Sequence, residues 1–287
     1  MAGYTRWVRF YVFVFAVVVA GCGFRGPGAK GDATGIDDAT EIHDVPSPPS
    51  DSDTISDAKP PPPDAAMIDA AMIDAVMIDA VAPPIQLRQI NDANSGTNIG
   101  AISVKFVQAQ LAGDLNVVVV GWFMAGTVTS VVDTSGNLYA IATGPASSGP
   151  ESQTIYYKCG IAGAAANANT VVVTFAGATQ QPDVHVIEYS GTRAGACLDR
   201  AVSATGSGTA MSVGSLATTH AHDLLVAATF QVNQATTGDP SYTSRGIDNF
   251  GDLVEDREVG ATGTYQALAT QNTSGAWVMQ LAAFEGL

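Results

Sequence analysis

The sequence has 287 residues and a formal net charge of −15, with 12 Lys and Arg against 27 Asp and Glu and only 14% charged residues. A chain this acidic has no positive surface to attract phosphate backbones, so nucleic-acid binding is excluded as the expected function. The hydrophobic content of 46% is sufficient to build the core of a folded domain.

The first 21 residues have the features of an export signal. Arg6 and Arg9 precede an apolar run over residues 10–20, which is too short to cross a bilayer as a helix, since that needs about twenty residues. A basic start, a short apolar stretch and small residues after it predict a signal peptide over residues 1–21.

The end of this segment, Val19-Ala20-Gly21-Cys22, resembles the lipobox of bacterial lipoproteins, with Val in place of the usual Leu. The resemblance implies that Cys22 is acylated, that cleavage occurs before it, and that the acyl chains hold the mature protein at a membrane. Gly23 stands where lipoproteins of the inner membrane usually carry Asp, which implies delivery to the outer membrane. An ordinary secretory signal with an unmodified Cys22, or an uncleaved anchor, is the alternative.

Residues 22–84 form an acidic segment with twelve acids, three bases and one aromatic residue, Phe24. Such a composition cannot bury enough apolar surface to fold, so we expect a disordered tether. A Met-Ile-Asp-Ala repeat begins at residues 67, 72 and 77, and its period of five fits neither a helix nor a strand. A flexible coil of this length spans about 40–47 Å, enough to lift a domain from a lipid surface.

Residues 85–287 alternate short β-rich runs with turn residues, which predicts an all-β domain, an antiparallel β-sandwich or jelly roll. The clearest predicted strands are 104–107, 115–123, 127–132, 138–142, 154–159, 170–175, 184–189, 223–231, 265–270 and 277–284. Further strands are predicted at 87–90, 200–204, 211–216, 242–247 and 253–259.

Several short motifs of this domain resemble a module found in many exported bacterial proteins. They are Asp133-Thr-Ser-Gly-Asn-Leu-Tyr139, Gln153-Thr-Ile-Tyr-Tyr157, Asn169-Thr-Val-Val-Val-Thr-Phe175, Ile187-Glu-Tyr-Ser-Gly191 and Gly275-Ala-Trp-Val-Met-Gln280. The resemblance covers nearly all of residues 88–285. It implies a β-sandwich in an exported protein and brings no catalytic residues with it.

Two cysteines, Cys159 and Cys197, remain in the mature chain once Cys22 carries lipid. An even number of cysteines in an exported chain predicts a disulfide between them. Two separate buried thiols are the alternative, because the sequence does not place their Cα atoms within bridging distance.

An acidic stretch near residue 250 is the candidate metal site. Oxygen-rich clusters of this kind suit calcium, although the spacing does not match an EF-hand loop. The candidate calcium ligands are Asp248, Asp252, Glu255 and Asp256. The alternative is a solvated turn in which Arg245 and Arg257 pair with the acids, and no other cofactor is expected.

His220 and His222 alternate on a strand beside Asp223, which offers a second, weaker metal hypothesis. Zinc needs three or four ligands, and the other histidines of the mature chain are His43 and His185. The alternative is a solvent-facing strand end.

Exposed aromatic rings would suit a glycan-binding sandwich, because sugars stack on them. The candidate platform residues are Trp122, Tyr157, Tyr242 and Tyr265. Core packing is the alternative for each ring, since most aromatic residues of a domain are buried.

Catalysis is not expected, since the sequence has no Gly-x-Ser-x-Gly, Walker or His-Glu-x-x-His motif. Glu255 and Glu258 fall on opposite faces of a predicted strand, which is a poor match to a glycosidase pair. We therefore expect a lipid-anchored envelope protein that displays a binding module for glycans or other envelope proteins. A purely structural envelope lipoprotein and a jelly-roll carbohydrate-active enzyme are the alternatives.

Overall fold

A computed structural model describes residues 82–124 and 126–287, which form fifteen β-strands without any helix among them. The strands are β1 (Gln86–Asn94), β2 (Ile99–Lys105), β3 (Leu115–Phe123), β4 (Val128–Asp133), β5 (Ala140–Ser148), β6 (Glu151–Lys158), β7 (Thr170–Ser190), β8 (Leu198–Ser212), β9 (Leu216–Ala217), β10 (Asp223–Gln231), β11 (Ala235–Thr237), β12 (Thr243–Ile247), β13 (Leu253–Val259), β14 (Thr264–Tyr265) and β15 (Leu268–Glu285).

The predicted signal peptide, the lipidation site Cys22 and the tether up to residue 81 lie outside the described residues. Within the described part of the chain, no helix is available that could cross a bilayer.

Two large antiparallel sheets make up the domain, which confirms the all-β prediction. The first sheet has the order β1-β7-β3-β6-β5, and β2 and β4 also pair with β7. The second has the order β11-β15-β10-β13-β12, with β8 paired to β15, and β9 and β14 form a small separate sheet. Strands distant in sequence lie side by side in both sheets.

The two sheets pack face to face over one shared hydrophobic core. Alternate residues of β3, such as Val117 and Val119, meet Leu224 and Val226 of β10 in this layer, because side chains of a strand point to opposite faces in turn. The sheets approach closely at Gly121, where an added Cβ would lie 2.2 Å from the ring of Phe230. This glycine therefore makes room for the aromatic ring of the opposite sheet.

Both sheets also carry buried apolar residues on their outer faces. On the first sheet, Val118 and Val120 pack with residues of β2, β4 and the first half of β7. Strand β7 can supply both layers because it bends between its halves, where Gly177 (φ 124°) and Gln181 (φ 45°) adopt left-handed backbone conformations. The outer face of the second sheet is covered by residues around β8 and β9. Continuous burial on both faces explains the unbroken apolar run of β3.

A buried carboxylate organises the turn after β4. Asp133 accepts hydrogen bonds from the backbone N–H groups of Ser135 and Asn137 and from the side chains of Asn137, Tyr139 and Asn169. The side-chain amide of Asn116 donates in turn to the Tyr139 hydroxyl at 2.9 Å. The motifs that begin at Asp133 and Asn169 thus meet in one polar network.

Cys159 and Cys197 form a disulfide, with their Cα atoms 5.9 Å apart. Cys159 directly follows β6 of the first sheet, and Cys197 directly precedes β8 of the second. Both cysteines are buried, Cys197 completely. The bond therefore ties the two sheets together at one end of the domain.

Candidate functional site

The two sheets meet at a polar edge, where β1 and β7 face β12 and β13. Two cavities of about 110 Å³ and 210 Å³ open there, and Arg245 lines both. The smaller one, which we call the acid–histidine cavity, includes Asp92, His185 and Asp248. The larger one, the arginine cavity, includes Thr243, Asp256 and Glu258.

Strand β7 places His185 at the acid–histidine cavity and Asp183 beside His185. Val184 and Val186 pack on the outer face of the first sheet, so Asp183 and His185, which alternate with them, point between the sheets. Both are buried, with 1% and 6% of their surface exposed. Nε2 of His185 lies 3.4 Å from Oδ2 of Asp183.

The turn between β12 and β13 brings two more carboxylates to the same place. Oδ1 of Asp248 accepts hydrogen bonds of 2.8–2.9 Å from the backbone N–H groups of residues 250, 251 and 252. Gly251 adopts a φ of 94°, which closes this turn. Oδ2 of Asp248 accepts the side-chain amide of Asn94 at 3.1 Å. Asp252, 3% exposed, accepts the backbone N–H of Gln231. We call Asp183, His185, Asp248 and Asp252 the acid–histidine cluster.

Burial and mutual repulsion determine the protonation of this cluster. Burial, and then the neighbouring carboxylate of Asp183, raise the pKa of Asp248 to about 7. Burial and the charges of Asp183 and Asp248 raise the pKa of Asp252 well above its usual value. Burial also favours the neutral forms of Asp183 and His185, but their mutual attraction outweighs it, lowering the pKa of Asp183 and raising that of His185.

These groups are close enough to hold one cation. One ligand atom each from Asp183, His185 and Asp248 lies within 4.8 Å of the others. Two ligands of a single cation at about 2.0–2.4 Å can lie up to about 4–4.8 Å apart, on opposite sides of it. The arrangement therefore satisfies the distance requirement for a metal ion.

The arginine cavity contains a strong ion pair. Arg245 donates to both oxygens of Asp256 at 2.7 Å, and the hydroxyl of Tyr189 donates to Oδ2 of Asp256 at 2.6 Å. Glu258 at the same cavity lies 2.6 Å from Nε2 of His222. Fixed donors and acceptors thus line a space open to solvent.

The predicted calcium ligands are not brought together, so this expectation is corrected. Glu255 lies opposite Ala227, on the outer face of the second sheet, and accepts the backbone N–H of Asp239. Asp256 is held by Arg245. Only Asp248 and Asp252 join one cluster, because the alternation along β13 sends Glu255 to the opposite face from Asp252.

The predicted aromatic platform is wrong at Trp122 and Tyr242, whereas Tyr157 and Tyr265 keep part of their surface exposed. Trp122 and Tyr242 are buried in two different core clusters, where a ring cannot stack on a ligand. Tyr157 packs against Phe284 at a centroid distance of 5.5 Å. Tyr265 is half-buried and packs beneath the guanidinium of Arg257 at 5.4 Å.

The histidine pair near β10 divides between two sets of partners. His220 lies 3.5 Å from Asp199 and 3.4 Å from Glu285, whereas His222 contacts Glu258. Asp199, His220 and Asp223 form a second group within metal-binding distance. The two histidines therefore do not ligate together.

Sequence reasoning missed Asp183 and His185 as site residues. The signal in the sequence is a carboxylate and an imidazole two positions apart at the start of the predicted strand 184–189, whose other residues are mainly apolar. That signal shows a shared face, but it does not show which carboxylates of the other sheet lie opposite.

Comparison with protein-family models, curated proteins and solved structures finds no match to this chain. The resemblance to a module of exported bacterial proteins therefore stays a prediction.

Proposed function

We propose that this chain is a lipid-anchored protein of the bacterial outer membrane, whose β-sandwich is a non-catalytic binding module held away from the membrane by an acidic tether. The anchor rests on the lipobox residues Val19 to Cys22. The disulfide between Cys159 and Cys197 supports export, because such bonds persist in oxidising compartments outside the cytoplasm.

The observation that carries the binding role is the polar edge between the sheets. Two guanidinium groups, two carboxylates and a threonine line the arginine cavity, and these groups supply both donors and acceptors to a polar ligand. Its volume of about 210 Å³ is below the 300–1,000 Å³ typical of pockets for drug-sized ligands. A single sugar unit or a short polar side chain of another envelope protein suits this space.

Filling the arginine cavity tests this role. Thr243 lines the cavity and is exposed, so Thr243→Trp should block it without removing a core contact. We expect the full-length protein to bind a subset of glycans on an array, and Thr243→Trp to reduce that binding at least tenfold. Thr209→Trp, at an exposed position of β8, is the matched control and should bind normally. Failure of the wild type to bind any glycan would favour the structural alternative.

One observation favours the enzymatic alternative. Asp183 and Asp248 are neighbouring carboxyls with pKa values shifted in opposite directions, a pattern found in acid–base pairs. Against this role, Asp183 is only 1% exposed and has no surface for a substrate. Hydrolysis of a bound glycan by the wild type but not by Asp248→Asn would establish the enzyme.

A further inference from the structure

We propose that the acid–histidine cluster binds a divalent transition-metal ion that links the two sheets. This inference concerns the domain alone and does not depend on the proposed anchor or on glycan binding. Three ligand atoms, from Asp183, His185 and Asp248, lie within 4.8 Å of one another, and the carboxyl group of Asp252 is a close neighbour of Asp183 and Asp248.

The strongest support is a set of buried polar atoms that make no hydrogen bond of normal geometry. Both carboxylate oxygens of Asp183 and Nε2 of His185 belong to this set, although Nε2 of His185 lies 3.4 Å from Oδ2 of Asp183. Both side chains are more than nine-tenths buried. Buried polar atoms are almost always satisfied in folded proteins, so a group of exceptions aimed at one point indicates an absent ligand.

The turn after β12 prepares Asp248 as a ligand. Three backbone N–H groups hold its Oδ1, which fixes the orientation of the carboxylate beside Asp183 and His185. The amide of Asn94 also supports Oδ2. Such supporting hydrogen bonds are typical of metal ligands, which are oriented by a second layer of partners.

The ligand types indicate which ion binds. Calcium is bound through oxygen atoms alone, whereas a set of carboxylates with an imidazole suits Mn²⁺ and Zn²⁺. The adjoining cavity of about 110 Å³ is open to solvent, so water can complete the coordination. We therefore expect a transition metal in preference to calcium.

The second acidic group is a weaker candidate for the same ion. Asp199 is already held by the backbone N–H and the hydroxyl of Thr219. Glu285 beside it is paired with Arg193 at 2.5 Å, which places a cation there already. His220 is 45% exposed, so its position is less restricted than that of His185.

A metal at the acid–histidine cluster would connect β7 of the first sheet with the β12–β13 turn of the second. The main effect of the ion would therefore be on stability, which can be measured without any knowledge of the biological ligand. A ligand that binds only the folded state raises the melting temperature, and above Kd the stabilisation grows with the logarithm of the free ligand concentration.

The test is thermal unfolding of the full-length protein in detergent after chelation, with Mn²⁺, Zn²⁺ or Ca²⁺ added back. At about a hundred times Kd, Mn²⁺ or Zn²⁺ should raise the melting temperature by about 5–10 °C. Asp183→Asn and His185→Gln should each lose this rise. Asp199→Asn removes a carboxylate of the second group and should keep it.

Three results would overturn the proposal. In the first, neither Mn²⁺ nor Zn²⁺ raises the melting temperature of the wild type. In the second, the metal still raises the melting temperature of Asp183→Asn. In the third, the metal no longer raises the melting temperature of Asp199→Asn. A rise of equal size with Ca²⁺ that survives His185→Gln would also overturn the transition-metal assignment. A cooperative thermal unfolding transition in the presence of chelator shows that a variant folds. If Asp183→Asn shows no such transition, the result with His185→Gln decides the test.

Discussion

Asp223, the first residue of β10, is a fully buried carboxyl with charged neighbours on three sides. Asp199 of β8 and Glu285 of β15 contribute negative charge, and His220 contributes a partly opposing positive charge. Burial, and then the charge of Asp199, raise the pKa of Asp223 from 3.8 to about 7. The folded state therefore holds a proton that the unfolded state has released between about pH 4 and 7.

The sign of the resulting pH dependence follows from this difference. Where the folded state binds more protons than the unfolded state, stability falls as the pH rises. We expect Asp223→Asn to have a melting temperature close to that of the wild type at pH 5 and a higher one at pH 8. Thermal unfolding of both proteins across this range is the measurement, and a difference independent of pH would contradict the assignment.

The sequence predicts only two of the four residues of the acid–histidine cluster. Asp248 and Asp252 belong to a conspicuous acidic stretch, so the sequence is sufficient to select them. Asp183 and His185 come from a strand far earlier in the chain, and only the packing of two sheets places them opposite. Glu255 and Asp256 share the same stretch, but alternation and an ion pair with Arg245 remove them from the site.

The turn between β4 and β5 shows how one side chain can stabilise an element. Asp133 accepts five hydrogen bonds while only 8% exposed, and its removal would leave several buried donors unsatisfied. We expect Asp133→Ala to lower the free energy of unfolding by about 3–5 kcal/mol. Asp133→Asn retains one acceptor oxygen and should lose less. Urea unfolding measures both, and a loss below about 1 kcal/mol for Asp133→Ala would show that water replaces the carboxylate.

The disulfide between Cys159 and Cys197 is a second feature that is expected to stabilise the domain. Cys159 and Cys197 are separated by 38 residues, and on the chain-entropy model a loop of that size stabilises the fold by about 4 kcal/mol. The double variant Cys159→Ser/Cys197→Ser should lose about that amount in chemical unfolding. The wild type in strong reductant is the control and should lose a similar amount, whereas an unchanged midpoint in both would mean that the bond contributes no stability.

Strand positions could be predicted well where a strand is buried along its whole length. The apolar runs of β3 and β10 predict their bounds, Leu115–Phe123 and Asp223–Gln231. By contrast, the local pattern predicts two short strands in place of each of β7 and β15, because polar residues interrupt the apolar residues. Each is a single long strand in the structure. The two halves of β7 pair with different neighbours, whereas β8 pairs along both halves of β15. Pairing between distant segments is information that local patterns do not contain.

At the scale of the whole molecule, charge separates the predicted tether from the domain. Residues 1–21 carry +2, residues 22–84 carry −9 and residues 85–287 carry −8, so the middle segment is the most acidic per residue. The charge of −15 therefore describes this segment more than the β-sandwich, whose polar edge holds opposite charges in contact.

Cys22→Ser tests the proposed lipid anchor most directly. The substitution removes the sulfur that we propose carries the lipid, and it lies outside the described domain. In cell fractionation of the source bacterium, the wild type should sediment with the outer membrane, and mass spectrometry should find an acylated Cys22 at its N-terminus. The variant should lose the acyl chains and no longer sediment with the outer membrane. A Cys22→Ser protein that still sediments with the outer membrane would contradict the proposed lipid anchor.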